Sequence, residues 1–182
     1  MKTKNVFLAV VLATAASVFA AAPAATNVHV EVIFDHPEKF TDVKDSWMGS
    51  DRGRDSTLAL IKEYLENEAP RHLAEGQTLT LTFTDIDLAG DFEPERGMDF
   101  SDVRIVKDIY PPRMNFSYKL VDASGTVLKE GQEKLIDMAF QMSIGIIDRQ
   151  DSLRYEKNML REWLREQFPL PKKVKAKVAA KS

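Results

Sequence analysis

The sequence predicts a single α+β domain in which an antiparallel sheet of four or five strands packs against two helices. Several short segments alternate polar with apolar residues, which is typical of half-buried strands. Two longer segments carry apolar residues at helical spacing, one after the first strand and one near the end of the chain. The expected element order is β-α-β-(β)-β-β-α, and a chain of 182 residues suits one domain.

The first strand is predicted over residues 28–34, where valines and a phenylalanine occupy every second position. His36 and Pro37 follow and are expected to end it. Residues 38–53 show no sustained period and predict a loop. Trp47 in this loop belongs to no apolar stripe, so it either plugs one end of the core or forms part of a binding site.

The first helix is predicted to begin with Asp55 or Ser56 as its N-cap. Pro70 should kink or restart the helix because proline lacks the amide and its ring collides with the preceding turn. Gly76 is expected to stop it. The buried face is formed by apolar residues at helical spacing: Leu58, Ile61, Leu65 and Leu73.

The second strand has the clearest pattern in the chain. From residue 78 to residue 84, threonines alternate with large apolar side chains. The apolar positions then shift by one, to Ile86 and Leu88, so a β-bulge is expected near Thr84 and Asp85. Residues 103–106 are expected to add a short strand.

A hairpin is predicted next, because alternating residues 114–120 and 126–136 flank a turn at residues 122–125. Gly131 lies inside the returning strand. A glycine there favours a bulge at that position.

The last helix is predicted to begin at Asp151 or Ser152 and to stop at Pro169. Glu156 lies near its start, where a negative charge complements the positive end of the helix dipole. Its buried stripe consists of large apolar residues: Leu153, Leu160, Trp163, Leu164 and Phe168.

The two ends of the chain differ from the body. Residues 1–25 combine two lysines, an apolar run and small residues, which is the pattern of a secretory signal peptide. The run is shorter than the ~20 residues that span a bilayer, so cleavage is favoured over anchoring. Residues 26–168 are expected to form the domain, and residues 169–182 a lysine-rich flexible tail. The processed protein is therefore expected in the periplasm or the medium.

Charge and composition exclude several classes of function. Removing Lys2, Lys4 and the five tail lysines from the 25 basic residues leaves 18 against 28 acidic residues, a net charge of −10. Such a body repels phosphate backbones, which argues against nucleic acid as the main partner. The tail either keeps the protein soluble or clamps weakly onto an anionic lipid surface. The absence of cysteine excludes disulfides and thiolate metal sites.

Three segments carry a resemblance to a known family. They are VHVEVIFDHPEKFTDV at residues 28–43, LTLTFTDIDLAGDFEP at residues 79–94 and DSLRYEKNMLREWLREQF at residues 151–168. Together they resemble an exported bacterial family catalogued as a domain of unknown function, number thirty-sixteen. The resemblance spans nearly the whole processed chain. It implies one domain and an export signal, and it supplies no catalytic residues.

The acidic residues after the second strand are the candidate metal ligands. Asp85 and Asp87 share one side of an extended chain, and Glu93 could supply a third carboxylate. The segment begins like a calcium loop, but Ala89 occupies the fifth position and Arg96 the twelfth, where a bidentate glutamate is needed. A looser divalent site or solvated acids at a strand end are the remaining interpretations.

An amphipathic segment beyond the hairpin is the candidate binding surface. Apolar side chains recur at every second position from Ile136 to Ile146, including Met138, Phe140 and Met142. Methionines adapt to irregular surfaces. The segment either continues the hairpin strand, drapes over the core, or forms an exposed apolar surface that receives a partner or a ligand.

No complete catalytic or cofactor motif is present, and no cofactor is predicted. The interpretation favoured by these residues is a non-enzymatic envelope accessory or binding protein. The alternative is a divalent-cation-dependent hydrolase that uses Asp85 and Asp87.

Overall fold

The computed structural model of the chain describes residues 27–97, 102–142 and 150–170. The predicted signal peptide and tail residues 171–182 lie outside them, as do residues 143–149 of the amphipathic segment. The described residues form an α+β domain, as predicted. Its strands and helices are β1 (His29–Phe34), α1 (Asp51–Glu68), β2 (Thr78–Asp87), β3 (Asp91–Phe92), β4 (Arg104–Ile105), β5 (Arg113–Val121), β6 (Val127–Ile136) and α2 (Arg154–Gln167).

The main sheet is mixed, so the prediction of an all-antiparallel sheet is wrong. Its strand order is β1-β2-β5-β6, and β1 runs parallel to β2, from the pair His29–Thr78 to the pair Phe34–Phe83. Helix α1 returns the chain to the opposite end of the sheet between the two strands, which is the connection that a parallel pair requires. The remaining pairs, β2–β5 and β5–β6, are antiparallel. A separate two-stranded sheet joins β3 to β4, the short strand expected from the sequence.

The hairpin and one of the two predicted bulges are confirmed. The β2–β5 register shifts between Phe83 and Asp85, so Thr84 is the extra residue. The second bulge is not at Gly131, because the β5–β6 register shifts at Leu128 instead. Gly131 lies opposite Tyr118, and a Cβ atom there would fall 2.9 Å from the tyrosine ring. The glycine therefore makes room for an aromatic side chain.

Both helices begin at residues other than those predicted. Helix α1 starts earlier, with Ser50 as its N-cap, because the Ser50 hydroxyl accepts a hydrogen bond of 2.9 Å from the Gly53 amide. Gly53 has no room for a side chain, since a Cβ would lie 2.0 Å from Cγ of Asp45. Helix α2 starts later, because the Asp151 carboxylate accepts from the Leu153 amide in a turn that precedes it.

Pro70 acts as predicted. Helix α1 ends at Glu68, and a 3₁₀ helix over Ala69–His72 follows with Pro70 in its first turn. The predicted buried faces of both helices are confirmed. On α2, Trp163 packs edge-on against Phe116 and Tyr118, with ring centroids 4.8 and 5.5 Å apart. The core therefore lies between the helices and one face of the main sheet.

The connections collect at one end of the main sheet. There β1, β2 and β6 finish and β5 begins, and we call this the loop end. Among the described residues it carries 35–50, 88–97, 102–112, 137–142 and 150–153. In the described part of the chain, no helix combines the length and apolar character needed to cross a membrane.

Candidate functional site

Asp42 holds the first loop of the loop end against β2. Its amide donates to the Ile86 carbonyl and its carbonyl accepts from the Leu88 amide, each at 3.0 Å. Asp42 therefore acts as a one-residue continuation of the parallel pairing beyond the end of β1. This pairing orients its carboxylate toward the segment that follows β2.

Arg104 joins three segments of the loop end. Its guanidinium donates to both carboxylate oxygens of Asp42, at 2.8 and 3.1 Å, and to the carbonyls of Gly90 and Lys44, at 2.9 and 3.0 Å. It also lies over the Phe92 ring, 4.6 Å from the centroid. Bidentate pairs of this kind are short and directional, so Arg104 fixes the relative positions of these loops.

Gly90 permits this close packing. Its φ of +82° is one that residues with side chains rarely adopt, and a Cβ atom would fall 2.8 Å from the Ile105 carbonyl. The Gly90 amide donates to the Tyr110 carbonyl at 3.0 Å. Residues 90, 105 and 110 are thereby held together.

Glu93 anchors the other side of the same loops. It is buried, it forms an ion pair with Lys107, and it accepts a hydrogen bond of 3.3 Å from the Tyr110 hydroxyl. Burial and the Glu93 carboxylate raise the pKa of Tyr110. The Glu93 carboxylate, predicted from the sequence as a metal ligand, thus contacts Lys107 and Tyr110 in this structure.

The structure does not bring the three predicted metal ligands together. Asp85 accepts hydrogen bonds from the amide and the hydroxyl of Thr41, at 2.8 and 3.0 Å. Asp87 faces Arg113 across the β2–β5 pair, at 3.4 Å. Burial raises the pKa of Asp87, and the Arg113 charge opposes that rise. Among the residues that the structure describes, no three histidine, aspartate or glutamate side chains are placed to share a metal ion.

A cleft of about 290 Å³ opens beside Asp87. Its lining combines charged side chains with apolar ones and with backbone: Thr41, Asp42, Lys44, Asp87, Leu88, Gly90, Asp91, Ile109, Tyr110, Pro111 and Arg113. The fixed loops described above form its walls. A cleft with acidic and basic groups close together suits a polar ligand or a polar side chain of a partner.

Glu156 is the buried group that the sequence did not reveal. Its Oε1 accepts a hydrogen bond of 2.7 Å from the Ala89 amide, which ties the first turn of α2 to the segment after β2. Its Oε2 has no hydrogen-bond partner among the described residues. Burial raises the pKa of Glu156, and the Ala89 amide offsets part of that rise. Glu156 therefore makes a tertiary contact that its position in the first turn of α2 did not predict.

The predicted binding residues occupy two different environments. Trp47 is 44% exposed, and its amide donates to the Asp102 carboxylate at 3.3 Å. Met138 is 67% exposed and Met142 more so. Phe140 is only 1% exposed and packs edge-on against Tyr155, with centroids 4.9 Å apart. Phe140 therefore anchors its segment, while the other three side chains face solvent.

Exposed apolar side chains are concentrated at the loop end. Among the described residues, eight large apolar side chains there are exposed: Trp47, Met48, Val103, Val106, Ile109, Ile136, Met138 and Met142. The remaining five exposed ones are scattered over the rest of the described surface: Ile33, Leu60, Val127, Leu128 and Leu170. Exposed apolar side chains that gather at one end of a domain, rather than spreading evenly over it, are a feature of interaction sites.

Comparison with known proteins gives one match. The model of a family described as "Protein of unknown function (DUF3016)" matches residues 28–166. No curated protein and no solved structure matches the chain. The matched segment includes every residue of the loop end discussed above.

Proposed function

We propose that this chain, which belongs to the DUF3016 family of proteins of unknown function, is an exported envelope protein that binds a partner through its loop end. The observation that carries the proposal is the concentration of exposed apolar side chains at that end. The signal-like residues 1–25 support the periplasm as its location.

The construction of the loop end supports binding. Arg104, Glu93 and Glu156 hold the loops from within through buried or partly buried polar contacts. Loops that are already ordered lose little conformational entropy when a partner arrives, which favours affinity. Exposed aromatic and methionine side chains such as Trp47 and Met138 are suitable anchors for a protein surface.

The hydrolase alternative requires Asp85 and Asp87 to bind a divalent cation. A cation at Asp85 and Asp87 would have to compete with the two hydrogen bonds from Thr41 and with the Arg113 charge. Asp85 and Glu93 both already take part in contacts that position loops. We therefore prefer the binding role for this end of the domain.

Affinity capture from envelope extract tests the proposal with a matched pair of variants. Trp47→Ser with Met138→Ser removes apolar area from the loop end, whereas Val127→Ser with Leu128→Ser removes comparable exposed side chains from the β5–β6 hairpin at the opposite end. Because few anchors carry most of an interface's energy, we expect the first variant to lose at least about tenfold in capture of a partner that the unaltered protein retains.

The control variant should capture the partner normally, with chelator or with added magnesium. Equal capture by both variants would exclude the loop end as the interface. Capture that occurs only with added metal would instead favour the cation-dependent alternative.

A further inference from the structure

Strand β1 lies at one edge of the main sheet, and no other described strand pairs with its outer side. The His29 amide donates to the Gln77 carbonyl at 3.0 Å, and the Asp35 amide donates to the Phe83 carbonyl at 2.9 Å. Odd-numbered residues of β1 therefore direct their backbone groups toward β2. In a parallel pair the intervening residues, Val30, Val32 and Phe34, direct theirs away from it. Among the described residues, no backbone group pairs with them on that side.

Within the described part of the chain, the β6 edge of the sheet carries protective features that the β1 edge lacks. Strand β6 carries two lysines and two glutamates along its length, together with the bulge at Leu128. Charged side chains and bulges are the usual means by which edge strands avoid pairing with other chains. Strand β1 has the sequence HVEVIF, with Glu31 as its one carboxylate and with no lysine, proline or bulge. Because it has fewer of these features, the β1 edge is the more available of the two for pairing with another strand.

The β1 edge is complementary to itself in one antiparallel register. With Val32 at the two-fold axis, Val32 faces Val32 of the second copy and Val30 faces its Phe34, on the side toward the helices. On the other side Glu31 faces Ile33, and His29 faces Asp35, which brings an imidazole to an exposed carboxylate. The valine–phenylalanine and histidine–aspartate pairs are of kinds that stabilise a strand pair when they lie directly opposite each other.

The two neighbouring registers are unfavourable. A two-fold axis at Glu31 would place that glutamate opposite Glu31 of the second copy. An axis at Ile33 would place Glu31 opposite Asp35. Like charges that lie directly opposite each other destabilise a pair, so the register centred on Val32 is preferred.

We propose that a second copy of this chain pairs with the β1 edge in this register, which joins the two main sheets into one sheet of eight strands. The contact is isologous, as in most symmetric dimers, because the same surface of each copy takes part. Main-chain hydrogen bonds from the outward-facing residues supply affinity, and the side-chain pairs set the register.

Sedimentation of the purified protein over a range of concentrations tests the proposal. Ile33 is 40% exposed in the single chain, so its replacement is compatible with folding. Ile33→Glu places one glutamate opposite each of the two Glu31 side chains and should weaken the dimer at least about tenfold, whereas Ile33→Lys places a lysine there and should preserve or strengthen it. Val127→Glu, at a 43% exposed site on β6, should leave the dimer unchanged.

Crosslinking provides an independent readout, since the chain has no cysteine of its own. Residues 31 and 33 of opposite copies would form a non-hydrogen-bonded pair with Cα atoms ~4.5 Å apart, within the range that a disulfide spans. Glu31→Cys with Ile33→Cys should therefore give a covalent dimer on oxidation, and either single variant should give much less. A protein that stays monomeric at all concentrations, or a dimer that is indifferent to Ile33→Glu, would overturn the proposal.

Discussion

Individual residues at the loop end show why its chemistry was hard to foresee. Asp42 and Arg104 lie 62 positions apart, and Ala89 and Glu156 lie 67 apart. Periodicity describes neighbours along the chain, so it placed Glu156 in a helix but gave no sign that an amide from another segment would meet it. Asp85, Asp87 and Trp47 stood out as residue types, and the structure places all three at the loop end without gathering the acids.

The Glu156 carboxyl makes a prediction about pH. Because its pKa in the folded protein is raised above the ordinary value of 4.5, the folded state holds this proton after the unfolded state has released it. The free energy of unfolding should therefore fall as pH rises from about 4.5, the ordinary pKa of the carboxyl, toward its raised pKa in the folded protein. Glu156→Gln keeps an oxygen for the Ala89 amide and removes the ionisation, so it should lose this part of the pH dependence.

Urea unfolding of both proteins at several pH values measures the difference. The variant should gain stability relative to the unaltered protein as pH rises, while Asp87, whose pKa is also raised, contributes alike to both. A difference between them that does not change with pH would show that Glu156 ionises equally in the folded and unfolded states.

At the scale of elements, the patterns identified strands and helices more reliably than their pairing or their ends. The alternation in residues 28–34 is the same for a parallel and an antiparallel strand, so it could not give the direction of β1. The helix between β1 and β2 was the informative sign, because a crossover of that length permits a parallel pair. Ser50 was missed as a cap because no apolar period begins until Leu58, beyond the first turn of α1.

Replacing each tryptophan with alanine tests how much its side chain contributes to the free energy of unfolding. Trp163 fastens α2 to the sheet, and Trp163→Ala should cost ~3–5 kcal/mol in the free energy of unfolding because it leaves a cavity. Trp47 stands half-exposed in a loop, so Trp47→Ala should stay within ~1 kcal/mol of the unaltered protein. Urea midpoints compare the two, and equal losses would show that Trp47 belongs to the core.

At the scale of the whole molecule, one sheet presents three different surfaces. One face is covered by the helices, and the loop end concentrates exposed apolar side chains. At the β1 edge, the outward backbone groups have no partner among the residues that the structure describes. The eight exposed apolar side chains of the proposed partner site are not among residues 29–35, which form the proposed dimer edge. A dimer through β1 would therefore leave both loop ends free for partners.

Export is the prediction that belongs to the whole chain. Residues 1–25 have the pattern of a cleaved signal, and their removal would leave a protein that starts just before β1. N-terminal sequencing of the protein recovered from the periplasm should give a first residue between Ala21 and Thr26. A protein that begins at Met1 and sediments with membranes would contradict both the export and the domain boundary.

The parallel pairing of β1 with β2 also sets an order in which the protein can assemble. The β5–β6 hairpin closes through a short turn, whereas β1 must wait for residues 35–77 before its partner strand exists. Closing a longer loop is slower and entropically less favourable, so contacts between distant residues tend to form late. Strand β1 is thus the strand that waits longest for its neighbour during synthesis. The next helix in the chain, α1, is the first helix that can cover the apolar face of β1.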